Sequence, residues 1–111
     1  MSDCIFCKIV TGQIPCRKVY EDEHVLSFQD LNPQAPTHLL VIPKQHVEKF
    51  SDLGGQKELL GNLMLAVGKI AADQKLVDYR LVINNGAVAG QSVFHLHVHV
   101  LGGRAMNWPP G

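Results

Sequence analysis

Residues Phe94-His95-Leu96-His97-Val98-His99-Val100-Leu101 alternate imidazole and aliphatic side chains with a period of two. On an extended strand this puts His95, His97 and His99 on one face and Leu96, Val98 and Val100 on the other. The aliphatic face can pack against a helix. The imidazole face cannot be ordinary core, because three rings buried without partners would be costly. A merely solvent-facing strand would ordinarily carry Thr, Lys or Glu at those positions, so the face is read as chemical. Two readings stay open: a zinc site in which the three neutral imidazoles are ligands, or a nucleophilic imidazole whose neighbours fix its tautomer and supply protons. The preceding stretch, Gly86-Ala87-Val88-Ala89-Gly90-Gln91-Ser92, offers backbone N–H donors, an amide and a hydroxyl. Such a loop suits phosphate oxygens better than a metal.

The rest of the chain sets the frame for that strand. With 111 residues, the chain reads as a single domain, residues 1–111, with a tail over 101–111. Ten basic and ten acidic residues cancel, so no whole-molecule field draws nucleic acid or an anionic membrane, and neither is expected as a partner. No apolar run reaches the ~20 residues of a spanning helix. Met-Ser-Asp-Cys lacks the pattern of a signal peptide, and a cytoplasmic location is expected.

Cys4 to Val10 reads as a short N-terminal helix, closed by a turn over Thr11–Pro15. Short strands are expected at Lys18–Glu21, Val25–Phe28, His38–Ile42, Tyr79–Ile83 and Phe94–Leu101. Asp52 is placed to cap a long helix whose Leu59, Leu60, Leu63, Met64, Val67, Ile70 and Ala71 form one apolar face. The connections between the first strands are too short for parallel crossovers. The expected class is α+β: about five antiparallel strands, one long helix and a short N-terminal helix.

His95-Leu96-His97-Val98-His99-Val100-Leu101 resembles the signature of the histidine triad (HIT) superfamily. Pro33-Gln34-Ala35-Pro36-Thr37-His38-Leu39-Leu40-Val41-Ile42-Pro43-Lys44 resembles the second block of its histidine triad nucleotide-binding branch. Gly90-Gln91-Ser92-Val93-Phe94, Gly102-Gly103-Arg104 and Trp108-Pro109-Pro110-Gly111 are similar to that branch too, in the same order and spacing.

The resemblance implies a HIT-like fold and a hydrolase of phosphorus–nitrogen bonds. Such an enzyme is a purine nucleoside phosphoramidase acting on substrates of the adenosine 5′-monophosphoramidate type and releasing AMP. His97 matches the nucleophile and would form a nucleotidyl-histidine, with His95, His99 and Ser92 completing the catalytic group. Gly90, Gln91 and Asn84 would hold phosphate or bridging oxygens. His38 would sit near the nucleotide and support the triad. Asp30 would accept the two ribose hydroxyls, since each carboxylate oxygen can take one O–H. Ile5, Phe6, Ile9, Phe28 and Leu31 would line a purine pocket, although each taken alone reads as core. A homodimer paired along Tyr79–Ile83 is implied, with Trp108 near the partner's site. Dinucleoside polyphosphate hydrolysis, or a nucleotide-binding interaction module with incidental turnover, is the alternative.

Three cysteines argue against a disulfide framework. Cys4-x-x-Cys7 reads alone as a redox pair, half a zinc site or two buried small residues. Some bacterial members of the family carry such a pair with a histidine after Pro-Lys-x and recruit the first triad histidine. The resemblance therefore implies a structural zinc held by Cys4, Cys7, His46 and His95, and no cofactor for the chemistry itself. Cys16 looks incidental.

Overall fold

The structure is a computed structural model and describes residues 3–111. Its elements are α1 (Ile5–Val10), β1 (Lys18–Glu21), β2 (Val25–Gln29), β3 (Thr37–Pro43), α2 (Lys57–Asp73), β4 (Tyr79–Val82) and β5 (Val98–Gly102). The strands form one antiparallel sheet in the order β1-β2-β3-β5-β4. The expected α+β architecture is the observed one. Among the described residues, no helix is long and apolar enough to cross a membrane.

The turn between β1 and β2 is made by Asp22, whose carboxylate accepts from the backbone N–H groups of His24 and Val25 at 2.7 and 2.8 Å. This is the local bond that lets a short acidic break reverse the chain. The sheet's two faces then separate by the period-two rule. Val25, Leu39, Val41, Leu96, Val98 and Val100 face α2 and pack with Leu63, Ala66, Val67 and Ile70. Leu26, Phe28, Leu40 and Ile42 face the other way and pack with Phe6 of α1. Burying each large aliphatic of α2 stabilises the fold by roughly 1.5–3 kcal/mol. The fold has a heavy helix on one face. The lighter cover on the other leaves room beside the histidines.

Two sequence expectations shift. The helix does not start at Asp52. That residue ends a 3-10 turn over Phe50–Asp52, Gly54 follows at a φ of +59°, and Gln56 stands at the cap with no side-chain bond. The histidine strand is also shorter than Phe94–Leu101, because the β3–β5 ladder stops at Val41↔Val98. Its next rung would need Pro43, which has no N–H to donate. The Pro43 carbonyl is taken by the His95 ring at 2.8 Å, and the Leu96 N–H donates to Val47 O at 2.6 Å. Of the three motif histidines only His99 lies within a strand.

Candidate functional site

Backbone accounting fixes the tautomers of four imidazoles. A carbonyl only accepts, and an N–H only donates. His95 Nε2 sits 2.8 Å from Pro43 O, so Nε2 carries the proton and Nδ1 is bare. His97 Nδ1 sits 2.7 Å from His95 O, so Nδ1 carries the proton and Nε2 is bare. His38 Nδ1 accepts from the Gln34 N–H at 3.0 Å, which leaves the His38 proton on Nε2. That proton points at His99 Nδ1, 2.9 Å away, so His99 carries its own proton on Nε2.

All four rings are neutral at pH 7. Burial pushes His95 and His99 down to about 4, and neighbouring imidazoles push the same way. Burial also lowers His97 and His38, against the pull of the His95 carbonyl on His97 and of Asp30 on His38. The Asp30 Oδ2 to His38 Nε2 approach of 3.4 Å is therefore a polar contact to a neutral ring, not an ion pair. Asp30 Oδ1 accepts from the Asn32 N–H, and the carboxylate still has free lone pairs.

A cavity of about 330 Å³ opens beside His97 and His99. Of the residues singled out from sequence, Ile5, Phe6, Ile9, Phe28, Asp30, Leu31, Asn84, Gly90, Ser92, His97 and His99 line it. Its two ends differ: aromatic and aliphatic side chains from α1 and β2 at one, and imidazole, hydroxyl and amide at the other. Phe6 bridges them, edge-on to Phe28 at 5.4 Å and to His97 at 5.2 Å. Gly90 has a φ of +110°, and a Cβ there would meet the Asn84 side chain at 3.6 Å. Any other residue at 90 would be strained by that φ, while the contact itself is ordinary van der Waals packing.

Four of the sequence candidates lie elsewhere. The Gln91 amide is buried and occupied: Oε1 accepts from the Gly86 N–H, while Nε2 donates to Glu48 O and Val93 O. It braces the loop instead of presenting a free group to the cavity. His38 stands behind His99. Trp108 is 81% exposed and lies beside Arg80, 5.7 Å from the guanidinium carbon, away from the cavity of its own chain. His95 turns its bare nitrogen away from His97 towards the cysteines.

Ile14, Cys16, Arg17 and Gln29 also line the cavity and were not singled out as site residues. Their signal was slight: the turn after α1 returns Ile14, Cys16 and Arg17 along the same rim, and Gln29 ends β2 there. Cys16 is thus a wall residue of the cavity.

Cys4, Cys7, His46 and His95 each bring one ligand atom to within 4.8 Å of all the others. His95 Nδ1 lies 3.3 Å from Cys4 Sγ, 3.5 Å from Cys7 Sγ and 3.2 Å from His46 Nδ1, and Cys7 Sγ lies 3.4 Å from His46 Nδ1. A tetrahedron built on ordinary zinc bond lengths has edges of about 3.3 Å between nitrogens and about 3.6 Å between nitrogen and sulfur. The single bare lone pair of His95 faces three donor atoms at once. A shared cation satisfies that arrangement and hydrogen bonds alone do not, so the residues fit a metal. In this cluster burial and the neighbouring Cys4 push the Cys7 thiol up to about 11. Ligation would reverse that by deprotonating it. Among the described residues, His95, His97 and His99 do not share a metal cluster. Asp30, His38 and His99 also lie close, but the Gln34 N–H and the His38–His99 contact already use their nitrogens.

The HIT domain family model matches residues 11–106. Over 111 residues the chain is 52% identical to an uncharacterized HIT-like protein of Synechocystis sp., covering 98% of this chain and 97% of that one. It is 50% identical over 115 residues to a 14 kDa zinc-binding protein of Zea mays, covering 99% and 89%. Among solved structures, a HIT family hydrolase from Legionella pneumophila superposes with a TM-score of 0.95 at 48% identity, covering 98% of this chain and all of that one.

Proposed function

The chain belongs to the HIT domain family, and from that membership we propose that it is a purine nucleoside phosphoramidase with His97 as nucleophile. The observation that carries the reading is the His97 tautomer: Nδ1–H is held by the His95 carbonyl and Nε2 is left bare beside the cavity. A neutral imidazole is a competent nucleophile near pH 7.

Nε2 attacks the α-phosphorus of a nucleoside 5′-phosphoramidate. A phosphorus–imidazole bond forms, the phosphorus–amine bond breaks, and the amine leaves with a proton passed from solvent through the Ser92 hydroxyl. The ring then carries formal positive charge, which the His95 carbonyl stabilises through Nδ1–H. Water hydrolyses the nucleotidyl-imidazole and frees the mononucleotide. His99 Nε2–H, whose tautomer His38 sets, and the Ser92 hydroxyl donate to phosphate oxygens, with Ser92 beside the departing amine. Asn84 and the close backbone approach at Gly90 complete the polar end. Gln91 acts by bracing that loop, and Asp30 takes the ribose hydroxyls. Phe6, Phe28, Ile5, Ile9 and Leu31 hold a purine by its faces, which suits adenine and guanine alike.

Cys4, Cys7, His46 and His95 would hold zinc. With four protein ligands no position is left for water, so this metal stabilises the fold and supplies no Lewis acid. The exposed edge β4 would pair with its copy in a homodimer, and there Trp108 would reach the partner's site.

The test is a substrate panel of adenosine and guanosine 5′-phosphoramidates against dinucleoside polyphosphates. The expected result is kcat/KM at least about a hundredfold higher for the phosphoramidates, a difference of about 2.7 kcal/mol in transition-state stabilisation. Preference for the polyphosphates would replace this reading with the other hydrolase.

A further inference from the structure

His95 belongs to two systems at once. Its ring nitrogen Nδ1 faces the cysteines at 3.3 and 3.5 Å, while its carbonyl accepts the His97 Nδ1–H at 2.7 Å. Any change that frees the His95 ring therefore acts on the peptide that sets the His97 tautomer. Both cysteines are half-buried, and Cys4 alone opens on a groove. Cys4 lines a surface groove of about 320 Å³ with Asp3, Glu48, Phe94 and Ser92, and Cys7 does not line it. Cys7 sits three residues on, and its N–H donates to Cys4 Sγ at 3.3 Å. That bond holds the Cys4 sulfur over the turn that carries the second thiol. No disulfide joins them.

We propose that Cys4 and Cys7 are an oxidisable pair, that a peroxide entering the groove converts them to a disulfide, and that His95 passes the loss of two metal ligands to His97. The sulfur chemistry balances with one peroxide. Cys4 Sγ takes an oxygen as the O–O bond breaks, giving a sulfenic acid and one water. Cys7 Sγ then attacks the Cys4 sulfur, the S–S bond forms, the S–O bond breaks, and a second water leaves with the remaining proton. Two sulfurs lose two electrons and one peroxide becomes two waters, its two further protons coming from the thiols or, for metal-bound thiolates, from solvent. A disulfide sulfur is no longer a thiolate ligand, so only His46 and His95 would remain to hold a zinc ion, too few to retain it. The His95 ring then keeps only the Pro43 carbonyl, and the peptide that orients His97 loosens.

The consequence for turnover rests on the phosphoramidase reading, but the disulfide, the metal and the ring signals do not. The experiment treats the full-length, zinc-loaded protein with one equivalent of hydrogen peroxide. Four readouts are followed: peptide mapping of cysteine oxidation, zinc appearing on a chromogenic chelator, the imidazole ¹H–¹⁵N spectrum, and hydrolysis of a nucleoside phosphoramidate. The expected result is a Cys4–Cys7 disulfide, one zinc released per disulfide, and loss of the fixed Nδ1–H signal of His97. A fall in kcat of about tenfold or more follows, as for loss of an orienting partner, and dithiothreitol with zinc restores all four. Cys16→Ser should release zinc in the same way. Oxidation confined to Cys16, or zinc retained after Cys4 is oxidised, overturns the oxidisable pair. Zinc loss with the His97 signal unchanged overturns the link through His95. If the untreated protein hydrolyses no phosphoramidate, the proposed function fails, while the first three readouts still decide this proposal.

Discussion

At the residue scale, one carbonyl separates the roles of two neighbouring histidines. Both are buried, and burial alone would make them equally inert neutral rings. His95 donates through Nε2 and keeps Nδ1 bare, whereas His97 donates through Nδ1 and keeps Nε2 bare. The bare nitrogen points to the cysteines in the first and to the cavity in the second. Because burial lowers His97 from its ordinary 6.5, its lone pair is kept to a lower pH than that of a free imidazole. Protonation of Nε2 removes the nucleophile, so activity is lost as pH falls, not as it rises. We expect the acid limb of kcat/KM to have its midpoint below 6.5, since that limb reports the free-enzyme imidazole. A limb centred above 6.5 in a pH–rate series would contradict the neutral, buried His97.

At the element scale, the period-two alternation was legible because it depends only on neighbouring residues. It correctly assigned Leu96, Val98 and Val100 to the α2 face and the imidazoles to the other. What it missed came from backbone partners that a side-chain pattern does not register. The strand stops short of His97 because Pro43, 54 residues earlier than His97, cannot supply the next ladder bond. The buried amide of Gln91 is consumed by Gly86, Glu48 and Val93, and only the folded loop reveals that. Cys16 becomes a cavity wall through the path of the turn after α1.

The four-residue cluster is where α1 is tied to the sheet. Cys4 and Cys7 belong to the short helix segment, and His46 and His95 follow β3 and precede β5. An isolated six-residue helix has little stability of its own. Protein purified without added zinc is expected to hold one equivalent by metal analysis. Cys4→Ser should lower the thermal midpoint by several degrees, the shift expected for a loss of about 1–2 kcal/mol in a domain of this size. A metal content below a tenth of an equivalent with an unchanged midpoint would remove the site.

At the scale of the whole molecule, the sheet ends in two edge strands, β1 and β4. β4 is an edge strand that exposes Tyr79 and Leu81 by 38% and 39%. An apolar edge of this kind invites pairing with another strand. Two-fold pairing of β4 with its copy would join two five-stranded sheets into one and cover both β4 edges. Light scattering at micromolar concentration is expected to give about twice 12.2 kDa. A mass of one chain there would defeat the dimer, and with it any reach of Trp108 into a neighbouring site. Truncation after Gly103 should keep the dimer and change the ranking of amine leaving groups.

The most direct measurement is mass spectrometry of the enzyme caught during turnover. The protein is mixed with a slowly hydrolysed nucleoside phosphoramidate, quenched in alkaline denaturant where phosphorus–imidazole bonds persist, and mapped by peptide. The predicted result is one nucleotidyl group on His97, absent from the His97→Ala variant. Full turnover with no adduct, or an adduct on His95 or His99, would contradict the assignment of His97 as the nucleophile.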